Sequence, residues 1–147
     1  MVKRVKQIPT NSPKNLKDSY NRVARKLRIS VTDKCNMKCI YCMPNGNIKW
    51  IDDKEILNFK EIIRIVSIFT QLGITKIRLT GGEPLLRPSL ENLISDLIKI
   101  KKIETISMTT NGFLLEENIN QLKSAGLNSL NISLDTFKEK RFRTLNG

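Results

Sequence analysis

The 147-residue sequence contains no histidine. A structural zinc site takes four ligands, usually cysteine or histidine, so any ligand beyond the cysteines would be a carboxylate or come from another chain. Cysteines number only three. A disulfide framework wants an even count in a secreted chain, and no signal-peptide pattern is visible. Aromatic residues make up 5%, which leaves few platforms for stacking bases. No recognisable nucleic-acid-reading motif is present, so nucleic acid is not the expected partner. No apolar run approaches the ~20 residues that a membrane span requires, and membrane insertion is not expected either.

Acidic residues are also scarce, with 14 Asp and Glu against 26 Lys and Arg, a net charge of +12. The excess is uneven. Residues 1–28 hold nine Lys and Arg against Asp18 alone, or +8, and the rest hold 17 against 13, or +4. Pro9, Asn11, Ser12 and Pro13 interrupt any periodicity near the start. Residues 1–26 therefore read as a basic extension, disordered or partly helical and mostly solvated. The length predicts one domain, and 39% hydrophobic content is enough for a core.

What is present is concentrated in one run, Cys35-Asn36-Met37-Lys38-Cys39-Ile40-Tyr41-Cys42. The C-x3-C-x2-C spacing lies on a short loop after an alternating apolar segment, where three thiolates can converge. Cubane iron–sulfur clusters are usually held by cysteine thiolates, and three thiolates leave one of four irons open to a further ligand. Zinc with an outside fourth ligand, or three unrelated buried thiols, are the alternatives that spacing alone leaves open.

From residue 27 the pattern is regular. Leu27–Thr32 reads as a strand ending at the cysteine loop. Asn58 opens a helix, with Glu61 in capping-box position, Leu57 and Ile62 as a staple, and Gly73 closing it. Lys76–Thr80 is a second strand, ending in Gly81-Gly82. A second helix carries Leu90, Leu93, Ile94, Leu97 and Ile98. Thr105–Thr110 is a third strand, and Leu115, Ile119 and Leu122 mark a third helix stopped by Gly126. Ser129–Leu134 is a fourth strand. Strands alternating with helices predict an α/β fold with parallel strands.

Parallel strands covered by helices on both faces are apolar throughout, and these are not. Leu27, Ile29 and Val31 alternate with Arg28, Ser30 and Thr32. Ile77 and Leu79 alternate with Lys76, Arg78 and Thr80. The third and fourth strands repeat the pattern, setting Thr105, Ser107, Thr109 and Asn111 and then Ser129, Asn131, Ser133 and Asp135 on the polar parity. With a side-chain period of two, one face takes the helices and the other is polar. A curved parallel sheet with a polar interior predicts part of a (β/α) barrel with a ligand in its lumen. Its chemistry would gather at the C-terminal rim, where the cysteine loop sits.

The run from Leu27 to Pro44, with Arg78-Leu79-Thr80-Gly81-Gly82-Glu83-Pro84-Leu85-Leu86-Arg87, Thr109-Thr110-Asn111-Gly112 and Asn131-Ile132-Ser133-Leu134-Asp135, resembles radical S-adenosylmethionine enzymes. Within that superfamily it is most similar to the molybdenum cofactor biosynthesis protein A family, the GTP 3′,8-cyclases. The resemblance implies a radical SAM core with about four of its six βα units over residues 27–147. It implies that Cys35, Cys39 and Cys42 ligate a [4Fe-4S] cluster whose open iron chelates S-adenosylmethionine. Tyr41 would contact the adenine, Gly82 would offer backbone groups to the amino acid end, and Ser133 would hydrogen-bond the cofactor. Arg28, Arg78 and Thr109 match positions that bind GTP. All three, and Ser133, fall on the polar parity.

The implied reaction is one-electron cleavage of S-adenosylmethionine to a 5′-deoxyadenosyl radical, which takes the ribose 3′ hydrogen of GTP and leads to ring closure on guanine C8. An electron-donor protein, a dimer in the full-length family and a reducing, cytoplasmic compartment go with it. The family's second three-cysteine motif is missing from this sequence, so activity of these 147 residues alone is not expected. The other readings are a different radical S-adenosylmethionine enzyme, such as a peptide-modifying one, and a basic metal-binding module without catalysis.

Overall fold

The structure is a computed structural model that describes residues 15–44 and 48–147. Four strands form one sheet in the order β1-β2-β3-β4, and every neighbouring pair is parallel. They are β1 (Lys26–Ser30), β2 (Lys76–Thr80), β3 (Thr105–Thr110) and β4 (Ser129–Ile132), separated by α1 (Phe59–Gln71), α2 (Leu90–Ile98) and α3 (Leu115–Ser124). A 3-10 turn at Pro84–Leu86 and a last helix, α4 (Glu139–Asn146), complete the described chain. No described helix is long and apolar enough to cross a membrane.

The helix ends follow local rules. Asn58 Oδ1 accepts the Glu61 N–H at 3.1 Å, and Glu61 Oε2 accepts the Asn58 N–H at 2.8 Å, so two otherwise orphaned donors at the start of α1 are satisfied. Gly73, at φ 93°, takes the left-handed turn after α1, a conformation costly for a residue with a Cβ.

The core lies between the sheet and α1–α3. Ile77, Leu79, Ile106 and Met108 project from the two central strands against Ile62 and Val66 of α1, Leu93, Ile94 and Leu97 of α2, and Leu122 of α3, all buried. Each such side chain contributes about 1.5–3 kcal/mol when fully removed from water. This single apolar layer is why the strands alternate, and the polar parity faces away from the helices.

The structure departs from the expectations in four places. Residues 15–25 form neither a helix nor a free tail. Lys17 and Val23 make an antiparallel bridge, and the Leu16 N–H donates to Leu72 O at 3.0 Å, tying this segment to the end of α1. Leu16 packs against the core, a contact its charged neighbours hide in the sequence. Residues 1–14 of the expected extension lie outside the described residues. Strands β1 and β4 end earlier than expected, although Val31 and Ser133 still donate to Thr80 O and Thr110 O, each at 2.9 Å. Ser107 is buried despite its polar parity, because its Oγ donates to Ile77 O at 3.2 Å and Arg78 lies across it. Helix α4 was not expected, since Phe142 and Leu145 are its only large apolar residues.

Candidate active site at the C-terminal rim

The strands are parallel, so the loops after β1, β2, β3 and β4 emerge at one edge of the sheet. The first carries the cysteines, the second Gly81-Gly82-Glu83, the third Asn111 and the fourth Ser133-Leu134-Asp135.

Backbone hydrogen bonds join the first two loops. The Gly82 N–H donates to Thr32 O at 2.9 Å and the Glu83 N–H to Lys34 O at 2.8 Å, which extends the β1–β2 pairing to the foot of the cysteine loop. A Cβ on Gly82 would stand 2.3 Å from Lys34 O and 2.4 Å from Asp33 O. The chain's own carbonyls therefore require a glycine there, whatever else approaches it.

Glu83 is completely buried. One carboxylate oxygen accepts the Thr110 hydroxyl at 2.8 Å and the Leu85 N–H at 3.0 Å, and the other accepts the Asn111 N–H at 2.7 Å. Thr110 is thus a polar residue on the apolar parity with a buried partner of its own. The carboxylate bolts the loop after β2 to the end of β3, and from there Asn111 reaches the cysteine loop.

That loop is held from two further sides. The last carbonyls of α4 accept its backbone, with the Lys38 N–H to Asn146 O at 3.0 Å and the Ile40 N–H to Leu145 O at 2.9 Å. The Tyr41 hydroxyl donates to Asp135 Oδ2 at 2.7 Å. Asn146 is buried, and with its amide turned nitrogen-first it donates to the same oxygen at 2.9 Å. The carboxylate of Asp135, with the nearby Cys39 thiol, pushes the Tyr41 phenol well above its ordinary pKa. The phenol therefore stays protonated and keeps this bond.

Cys35 and Cys39 are half-buried and Cys42 is exposed. Partial burial, then the negative charge that Cys39, Cys35 and Asp135 can carry, raises the Cys42 thiol above its usual value. Among the described residues, however, no three His, Cys, Asp or Glu side chains converge tightly enough to share a single ion. A cubane spreads its thiolates wider than one ion does. This donor set, three thiols on one loop without a fourth ligand, fits a cluster better than a zinc ion.

On the polar face, Arg28 and Arg78 are register partners on adjacent strands. Arg78 donates to Asn131 Oδ1 at 3.1 Å and to Ser107 Oγ at 3.4 Å. Among the described residues neither arginine pairs with a carboxylate. Thr109 stands opposite Asn131. The structure thus brings Arg28, Arg78 and Thr109 onto one face, with Tyr41 and Ser133 above it at the rim. Sequence reasoning assigned no role to Glu83, Asn111, Asn131 or Asp135. Asn111, Asn131 and Asp135 were within reach through their polar parity, while Glu83 lies outside the strands and depends on a contact between distant loops. A separate cavity of about 540 Å³, bounded by Lys34, Asp53, Phe59, Arg87 and Ser89, holds none of the predicted site residues.

The class of protein is set by a parallel βα sheet with a three-thiol loop at its rim and two arginines on its polar face. Residues 29–147 match the family model for the radical SAM superfamily, and the chain belongs to that superfamily. It is 48% identical over 128 residues to a GTP 3′,8-cyclase of Petrotoga mobilis, and 49% identical over 131 residues to one of Thermodesulfovibrio yellowstonii. These matches cover 87% and 88% of this chain but 40% and 41% of the relatives, so it spans about two-fifths of their length. Among solved structures, BtrN in complex with AdoMet and 2-DOIA superposes with a TM-score of 0.57 at 22% identity, over 84% of this chain and 51% of that one. That likeness speaks for the fold.

Proposed function

We propose that this chain is the cluster-bearing part of a GTP 3′,8-cyclase, converting GTP to 3′,8-cyclo-7,8-dihydro-GTP in molybdenum cofactor biosynthesis. The observation that carries this reading is the near-half identity to proteins of that name across almost the whole chain. When bound, a [4Fe-4S] cluster and S-adenosylmethionine would supply a 5′-deoxyadenosyl radical able to take a ribose hydrogen. Everything else falls to the protein, which provides binding, orientation and shelter.

In this reading Cys35, Cys39 and Cys42 hold the cluster. Tyr41, fixed by Asp135, presents its ring to the adenine, and Gly82 and Ser133 meet the rest of the cofactor. Arg28 and Arg78 face the lumen and, among the described residues, have no carboxylate partners, which leaves their charge for a triphosphate, to which each guanidinium can form two charge-assisted bonds. Thr109 adds a hydroxyl on the same face. An electron-donor protein and a reducing compartment, the cytoplasm, complete the requirements.

The test has two arms. Anaerobic reconstitution with iron and sulfide should load about four irons per chain, and Cys35→Ala, Cys39→Ala or Cys42→Ala should abolish loading. Tight zinc without sulfide, indifferent to these changes, would overturn the cluster assignment. Separately, in a full-length version Arg78→Ala should weaken GTP binding by about tenfold to a hundredfold, the loss of roughly 1.5–3 kcal/mol from charged hydrogen bonds. Unchanged affinity in calorimetry would return Arg78 to a solvated arginine.

A further inference from the structure

Asn111 follows β3 directly, and both ends of its amide are fixed. Oδ1 accepts the Phe113 N–H at 3.0 Å, which leaves Nδ2 to face the cysteine loop. Nδ2 donates to Asn36 Oδ1 at 2.8 Å and lies 4.0 Å from Cys35 Sγ, within reach of a sulfur acceptor. Turned the other way, the amide would lose the Phe113 and Asn36 bonds and present an acceptor to the sulfur. The backbone is equally fixed, because the Asn111 N–H is clamped by the buried Glu83 carboxylate at 2.7 Å. Cys35 Sγ also accepts the Met37 N–H at 3.5 Å. Among the described residues, the sulfurs of Cys39 and Cys42 receive no comparable N–H.

From this arrangement we infer that Asn111 is a positioning residue that aims an N–H dipole at the Cys35 sulfur and raises the reduction potential of a cluster carried by the loop. The inference rests on the cluster reading of the three cysteines. The physical reason is charge. Reduction adds one electron from an outside reductant, moves no proton and breaks no bond, and it makes the ligand sulfurs more negative. A donor held against one of those sulfurs favours the reduced state over the oxidised one, and hydrogen bonds to sulfur are a recognised control of cluster potential. The anchorage in Glu83 keeps the donor in place as the charge changes.

The experiment is a dithionite titration of the anaerobically reconstituted protein against redox mediators, followed by electron paramagnetic resonance of the reduced cluster. Asn111→Ala should make the cluster about tenfold harder to reduce, ~59 mV for a one-electron couple, with iron content unchanged. Asn111→Asp keeps an acceptor for Phe113 but sets a carboxylate oxygen against the sulfur, and should lower the potential further. If Asn111→Ala fails to load iron, the Asp variant decides. Full iron loading with an unchanged potential would overturn the inference and leave the cluster reading intact. Loss of iron in both variants would make Asn111 a merely structural residue and also overturn it. Failure of the wild-type protein to take up iron and sulfide would sink both readings together.

Discussion

Replacing Glu83 tests whether a buried carboxylate organises the rim. Its two oxygens accept three donors, the Thr110 hydroxyl and the N–H groups of Leu85 and Asn111, and no water reaches it. Glu83→Ala would leave all three without a partner and open a cavity. An unsatisfied buried donor costs about 1–3 kcal/mol, and the Thr110 hydroxyl can turn elsewhere, so a loss of about 3–5 kcal/mol is expected. Glu83→Gln keeps the shape but must set an NH₂ against a donor. With its oxygen kept on Leu85 and Thr110, the clash falls on the Asn111 N–H, for about 1–3 kcal/mol. Urea denaturation of the metal-free protein, with a slope of about 1–3 kcal/mol per molar, separates these values. The order should be wild type, then Gln, then Ala. An alanine variant within about 0.5 kcal/mol of wild type, the range of ordinary surface changes, would show that the carboxylate holds nothing together.

Three further outcomes follow from the geometry. Gly82→Ala should cost about 1–3 kcal/mol by overpacking, because its Cβ would meet the Lys34 and Asp33 carbonyls at 2.3 and 2.4 Å, and a thermal melt reads the loss. Asn58→Ala removes one half of the capping box and should cost about 1 kcal/mol, read as a lower urea midpoint with an unchanged slope. Lys34 lowers the Asp53 carboxyl by a direct hydrogen bond, so the stability from this pair is present at neutral pH and fades as pH falls through the lowered value. Lys34→Gln should return Asp53 to the ordinary carboxylate range in an NMR titration.

The layout of the sheet was legible because its determinants are local. β2 and β3 have the expected bounds, Asn58 and Glu61 form the expected cap, and the two-residue period placed Arg28, Arg78 and Thr109 on one face. What the period could not show is register, so the pairing of Arg28 with Arg78 and of Thr109 with Asn131 emerges only in the structure. The Glu83 clamp was hidden for a similar reason, since it joins the ends of two strands and nothing nearby in sequence marks a buried acid. Helix α4 escaped notice because its fastening to the cysteine loop is made by backbone carbonyls, which any sequence possesses.

That fastening sets an order of events during synthesis. The cysteine loop emerges early, yet its partners come late. Asn111 lies 76 residues beyond Cys35, Asp135 lies 94 beyond Tyr41, and the carbonyls of Leu145 and Asn146 follow last. Closing loops of this length is entropically costly, although the cost grows only with the logarithm of length. Contacts so far apart in sequence also form slowly compared with a capped helix such as α1. The three thiols therefore stay on an unfastened strap until nearly the whole described chain has been made. In that interval they are open to oxidants and stray metals, so a supply of iron and sulfide is best timed to follow the synthesis of α4.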